Sequence, residues 1–133
     1  MHHWALVGAF VLAFIVLLSE EARSQKAAGT RLTTVGATHL INRENAVVLD
    51  LREANAFREG HIIGSKNFPE SEFERNAQKL EQYRSQPIIL VDAMGAKASV
   101  AALRLKKLGF EKVNILKGGI SAWKSANMPV VKS

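Results

Sequence analysis

Pro87-Ile88-Ile89-Leu90-Val91, followed directly by Asp92-Ala93-Met94-Gly95-Ala96-Lys97, decides what kind of fold this chain makes. A short run without a polar residue, rich in β-branched side chains, reads as a strand covered on both faces. The residues after it hold a glycine and lead into a long helical stretch, Lys97–Leu108, where Ala98, Ala101, Ala102, Leu105 and Leu108 fall on one stripe. A loop between a strand and a helix N-terminus aims successive backbone N–H groups at one spot and forms an anion cradle. Enzymes that use such a loop for covalent chemistry put a thiolate at its first position, where cradle and helix dipole lower the thiol pKa. This chain has no cysteine and puts Asp92 there. Thiol chemistry of its own is excluded.

Working outward, Val47-Val48-Leu49 and Val113-Asn114-Ile115-Leu116 repeat the covered-strand pattern, and Thr33-Thr34-Val35 reads as an edge strand. Helical stretches are expected at Ala37–Ile41, Ala54–Glu59, Glu70–Tyr83 and Ile120–Ala126, besides Lys97–Leu108. Alternation of this kind predicts an α/β domain with a mainly parallel sheet. Ligands of such sheets sit beyond the carboxyl ends of the strands. Asp50-Leu51-Arg52, Asp92 to Lys97, and Lys117-Gly118-Gly119 should therefore converge at one end.

The first residues differ from the rest. Trp4 to Leu18 is apolar with Gly8 as a neutral interruption, and no Asp, Glu, Lys or Arg occurs before Glu20. Fifteen residues make a helix of about 23 Å, and the uncharged flanks from Met1 to Ser19 bring it near the ~30 Å of a bilayer core. The expected organisation is an anchor over residues 1–22, with about 4–19 in the membrane, a linker over 23–32, and one domain over 33–133. A cleaved signal peptide is the competing reading, opposed by the lack of a basic residue before the apolar run and of a close small-residue cleavage site. For an anchor, Arg23, Lys26 and Arg31 just past the span predict an outward N-terminus and a cytoplasmic domain.

All 18 Lys and Arg lie after residue 22, whereas two of the 12 Asp and Glu precede it, so the domain is more basic than the chain's +6. The charges are scattered, with only Lys106-Lys107 adjacent and no aromatic interleaving. This disfavours a nucleic-acid groove and suits a solvated surface near anionic lipid headgroups. His2, His3, His39 and His61 have no helical metal-ligand spacing, and without cysteine neither disulfides nor thiolate metal sites exist. No metal or cofactor is implied, and no residue pattern specifies an oligomeric state.

Asp50-Leu51-Arg52, Phe57, Gly60-His61-Ile62-Ile63-Gly64-Ser65, Asn67 and Pro69, then Leu108-Gly109-Phe110, Val113 and Leu116-Lys117-Gly118-Gly119-Ile120-Ser121-Ala122-Trp123, resemble the two signature blocks of a rhodanese domain, in order and at matching spacing. An N-terminal membrane segment joined to one such module also resembles a bacterial single-domain subgroup, which implies a bacterial inner-membrane location. The resemblance implies a three-layer fold around a mainly parallel sheet. The family's active loop reads C-x-x-G-x-R-S. Counting back from Gly109-Phe110 aligns Asp92 with the cysteine, Gly95 with the glycine, Lys97 with the arginine and Ala98 with the serine. The resemblance thus implies the fold and argues against persulfide transfer, which needs sulfur as nucleophile.

The loop residues Asp92, Ala93, Met94, Gly95, Ala96, Lys97 and Ala98 are the candidate site, with Asp50, Arg52, His61, Gly118 and Gly119 as crevice neighbours and no catalytic residue. Asp92 is expected to accept the N–H groups that an anion would take, filling the cradle from within, and Lys97 is a candidate partner for it. An aspartyl nucleophile is the alternative, but Ala93-Met94 supplies neither the second acid nor a magnesium ligand. Asp50 and Arg52 are expected to pair or to bind loop backbone, and His61 to be a satisfied histidine in a turn. Gly118-Gly119 should permit a tight turn, and Trp123 is a core anchor or a lid. The expected function is membrane-anchored, non-catalytic binding to a protein partner at the bilayer. Sulfur handling and a secreted or periplasmic domain are the alternatives.

Overall fold

The computed structural model describes residues 30–133. Its central sheet has five parallel strands in the order β1 (Thr30–Leu32), β6 (Val113–Leu116), β5 (Ile88–Val91), β2 (Val47–Asp50) and β4 (Lys66–Asn67). A small antiparallel pair, β3 (His61–Ile62) with β7 (Val130–Val131), stands apart from it. The helices are α1 (Thr34–Glu44), α2 (Ala54–Glu59), α3 (Phe73–Asn76), α4 (Ala98–Lys107) and α5 (Gly119–Ser125).

Alternation along β5 shows how the layers are held. Ile88 and Leu90 point into a core cluster with Ala98, Ala101, Ala102 and Leu105 of α4, and with Phe73 and Leu80. Ile89 and Val91 point to the other side, into a cluster with Ala37 of α1 and Ile120 and Trp123 of α5. All four β5 side chains are at most 1% exposed. At about 1.5–3 kcal/mol per buried aliphatic side chain, the strand is fixed from both faces. The small residues at the start of α4 let that helix end lie close to the sheet, near the loop.

Four boundaries differ from the sequence expectation. Thr33-Thr34-Val35 is no strand: the Thr33 hydroxyl accepts the Gly36 N–H and caps α1, and the edge strand is Thr30–Leu32. The sheet therefore begins three residues ahead of the expected domain start at 33, inside the expected linker. Helix α1 also outruns Ala37–Ile41, ending at Asn45 in a left-handed conformation. Glu70–Tyr83 is not one helix but a 3₁₀ turn (Glu70–Glu72), the single turn α3, and a 3₁₀ segment (Ala77–Tyr83). Its good helix formers carry few apolar side chains, and burying Phe73 and Leu80 sets the path.

Leu108 leaves the expected apolar stripe and is 49% exposed. Gly109 donates to the Lys106 carbonyl and Phe110 to the Leu105 carbonyl, the Schellman arrangement that stops a helix and turns the second residue inward. Phe110 takes the core place expected of Leu108. Among the described residues no helix is long and apolar enough to cross a membrane; the expected anchor lies outside them.

Candidate functional site

Asp92 follows β5 at the carboxyl end of the sheet and is 5% exposed. Its Oδ1 accepts the N–H of Gly95, and its Oδ2 accepts those of Lys97 at 2.6 Å and Ala98 at 3.0 Å. Ala98 opens α4, so the carboxylate rests on that helix's positive end. The expected cradle exists and the chain's own side chain occupies it. No ion pair joins the Lys97 ammonium to Asp92 among the described residues; it is the Lys97 backbone that serves the carboxylate.

The loop is braced from below by the turn into α5. The Asp92 carbonyl accepts the Ile120 N–H at 2.9 Å, and the Ala93 carbonyl accepts the Ser121 N–H at 3.2 Å. These bonds satisfy donors at the start of α5 that would otherwise be orphaned. They require close approach: a Cβ on Gly119, at φ 59°, would overlap the Asp92 carbonyl, and one on Gly95 would sit 2.9 Å from the Gly118 nitrogen. Gly118 and Gly119 make the expected tight turn, but as a floor under the loop.

Asp50 and Arg52 form a pair. Arg52 Nη2 donates to Asp50 Oδ2 at 2.8 Å, Nε reaches Oδ1 at 3.0 Å, and the Arg52 backbone N–H also donates to Oδ1 at 3.0 Å. Nη2 further donates to the Gly60 carbonyl at 2.7 Å. Asp50 is 1% exposed. The guanidinium is thus spent on holding the end of β2 against the turn before β3.

His61 lies in β3 and not in a turn. Its ring stacks on Phe57 with centroids 3.8 Å apart, and Nδ1 donates to the Phe57 carbonyl at 2.7 Å. It is a satisfied, buried histidine away from the loop. A crevice of about 440 Å³ does open over the loop, lined by Asp92, Ala93, Met94, Ala96, Lys97 and Arg52 together with Glu53 and Glu70. Of the expected crevice neighbours only Arg52 lines it; Asp50, His61, Gly118 and Gly119 do not. Glu53 and Glu70 were missed in the sequence: Glu53 lies three residues past β2, where the ligand rule for such sheets points, whereas Glu70 follows β4, a strand that no apolar run announces. Among the described residues no group of three or more His, Asp or Glu side chains is placed to hold a metal ion.

Residues 34–126 match the family described as Rhodanese-like domain. The chain belongs to the rhodanese family. Thiosulfate sulfurtransferase GlpE from Pseudoalteromonas translucida is 34% identical to it over 87 residues, covering 65% of this chain and 81% of that one. An uncharacterized protein, YibN of Escherichia coli, is 37% identical over 131 residues, covering 98% of this chain and 92% of its own. Among solved structures, a rhodanese-related protein from Thermoplasma volcanium superposes with a TM-score of 0.68 at 30% identity, covering 78% of this chain and 99% of that one. The rhodanese-like domain thus accounts for both sequence blocks and for the parallel sheet.

Proposed function

We propose that this chain is a membrane-anchored rhodanese-like module that has lost sulfur transfer and works by binding. The observation that carries this reading is the Asp92 carboxylate lying on the N–H groups of Gly95, Lys97 and Ala98. Asp92 takes the place of the family's cysteine, and the chain has no other thiol to carry a persulfide. The crevice supports the same reading. Glu53, Glu70 and Asp92 outnumber Lys97 on its wall, while Arg52 is bound up with Asp50, so an incoming dianion meets net negative charge. The apolar stretch from Trp4 to Leu18 supports the anchor, with the domain on the cytoplasmic face of a bacterial inner membrane. A protein partner at the bilayer is then met at raised effective concentration.

The test is a thiosulfate:cyanide assay on the purified full-length protein. Thiocyanate at the level of the enzyme-free blank is the expected result. Turnover above that blank would return the chain to the sulfurtransferases, the activity that the name of the Pseudoalteromonas relative states for that protein. Carbonate extraction of membranes, with the mass of the mature protein, addresses the anchor: a Met1-containing mass in the pellet is expected. A shortened, soluble form would favour the secreted or periplasmic alternative.

A further inference from the structure

We propose that the outer face of α4 rests on an anionic lipid surface, an orientation that rests on the anchor reading and goes beyond it. The buried side of α4 is Ala98, Ala101, Ala102 and Leu105. Directly opposite, at helical spacing, stand Val100, Leu103 and Lys107. Val100 is 48% and Leu103 41% exposed, and the helix ends in Leu108 at 49%. Exposed aliphatic side chains in a row, flanked by Arg104 and Lys107 and by Lys97 at the other end, form the mixed face of a helix that lies at a headgroup boundary. The segment Ala98–Lys107 contains no Asp or Glu. Glu74 approaches it, 3.7 Å from Arg104, and Glu44 and Glu111 share a pocket with Lys106 on its flank.

The way the chain enters the domain selects lipid over other occupants. The described residues begin at Thr30, and the Arg31 Nη2 donates to the Ser99 hydroxyl at 3.1 Å. Thr30 itself shares a pocket with Lys106 and Glu111, so the chain enters at the Lys106 end of α4 and β1 runs along the flank of that helix toward Ser99. Between Ser19, the last residue of the uncharged stretch, and Thr30 lie Glu20 to Gly29, which span at most about 35 Å fully extended. A tether of this reach keeps the domain within about one domain diameter of the bilayer, with the flank that carries Arg31 nearest the point of entry. Each Lys or Arg brought to an anionic surface favours the docked orientation about fivefold, corresponding to about 1 kcal/mol per charge.

The cysteine-free chain makes the test clean. Full-length protein carrying Leu103→Cys, labelled with an environment-sensitive fluorophore, is reconstituted into phosphatidylcholine vesicles and into equimolar phosphatidylcholine–phosphatidylglycerol vesicles. Ile63→Cys, 68% exposed and next to the opposite edge strand β4, is the reference. The expected result is a blue shift and quenching by nitroxide lipid at position 103 in the anionic vesicles only. Added salt should reverse it, the Val100→Glu/Lys107→Glu pair should abolish it, and position 63 should show no change. A label at 103 as water-exposed as that at 63 in both vesicles overturns the proposal. So does a label shielded in native membranes but not in pure lipid, which would assign the face to a protein. Flotation with phosphatidylcholine vesicles after a high-salt wash reads the anchor separately, so a failed anchor and a failed docking face give different results.

Discussion

The Asp92 carboxylate and the backbone N–H of Ala98 meet at 3.0 Å, six residues apart in sequence. The end of β5 is thereby tied to the first turn of α4 by a side chain outside the helix. The helix's own N-cap residue, Lys97, makes no side-chain cap bond. Asp92 does that work from a distance, and an anion bound in the loop would have to displace it.

Removing the carboxylate therefore has a stability cost. Asp92→Ala leaves the N–H groups of Gly95, Lys97 and Ala98 without their acceptor, and Gly95 and Ala98 are buried. Bonds to a charged acceptor contribute about 1.5–3 kcal/mol each and do not add fully, so a loss of about 3 kcal/mol is expected. For a domain of this size that lowers Tm by roughly 10–20 °C. Asp92→Asn can keep its oxygen on the N–H groups of Lys97 and Ala98 but turns an NH₂ group toward that of Gly95, and should fall between wild type and Asp92→Ala. Thermal unfolding of the three proteins checks the order. A loss below about 1 kcal/mol for Asp92→Ala would mean that the carboxylate does not fill the cradle.

The same substitution site separates an empty cradle from a working enzyme. Asp92→Cys restores a thiol but leaves Glu53 and Glu70 on the crevice wall and Arg52 held by Asp50. Calorimetry with phosphate or thiosulfate should detect binding absent from the wild type, because the smaller side chain uncovers the N–H groups. Turnover should stay at background. A variant that takes up no anion would count against self-filling.

Arg52 is expected to act on stability rather than on a ligand. Arg52→Ala strands a carboxylate that is 1% exposed, at a cost of about 3–5 kcal/mol. Arg52→Lys retains the charge but loses the two-pronged contact with Asp50, and its single ammonium replaces a guanidinium that also reaches Gly60. It should lose roughly 1–2 kcal/mol. Asp50→Asn combined with Arg52→Met should recover part of the alanine loss, since no unpaired charge is then left buried. Urea denaturation of the set measures this. Equal stability of Arg52→Ala and wild type would release the guanidinium for a ligand role.

The loop was legible because its parts are local: a covered strand, an acid, a glycine and a helix start all lie between Pro87 and Leu108. The three central parallel strands β2, β5 and β6 were legible for the same reason, as short, mostly apolar runs, whereas the edge strands Thr30–Leu32 and Lys66–Asn67 carry no such run. What escaped depends on distant partners. Thr33 looks like a strand residue until the Gly36 N–H needs a cap, and Leu108 fits the stripe until Gly109 turns the chain. Helix propensity over Glu70–Tyr83 was overruled by the placement of Phe73 and Leu80 in the core. Glu53 and Glu70 reach the crevice only because β2 and β4 lie side by side, a pairing the sequence does not announce.

The exposed pair of Glu81 and Arg84 gives a pH prediction with a definite sign. Arg84 donates to Glu81 at 2.8 Å through Nε and at 2.5 Å through Nη2. These hydrogen bonds hold the Glu81 carboxyl below its ordinary value, outweighing desolvation, which opposes them, with the Coulombic attraction of Arg84 adding least. A carboxyl depressed in the folded state contributes stability above its unfolded pKa, about 4.3, and that contribution is lost as pH falls through the folded value. Glu81→Gln should therefore be less stable than wild type at neutral pH and converge with it in acid. Salt should shrink the gap, since the pair is exposed. A gap that widens toward low pH would refute the assignment.

Trp123 was open as a core anchor or a crevice lid, and its surroundings make it the former. It is 4% exposed, packs with Ile120, Leu116 and Ala37 across the sheet from α4, and donates its indole N–H to the Pro129 carbonyl at 3.0 Å. That bond fastens the chain just ahead of β7 to α5. Trp123→Phe should lose the bond and some packing, about 1–2 kcal/mol, and Trp123→Ala about 3–5 kcal/mol. Because the chain has two tryptophans, a Trp4→Phe background isolates the emission of Trp123. That emission should resist acrylamide quenching until global unfolding and ignore any anion admitted by Asp92→Cys. A lid would behave oppositely, quenched in the native state and protected when the crevice fills.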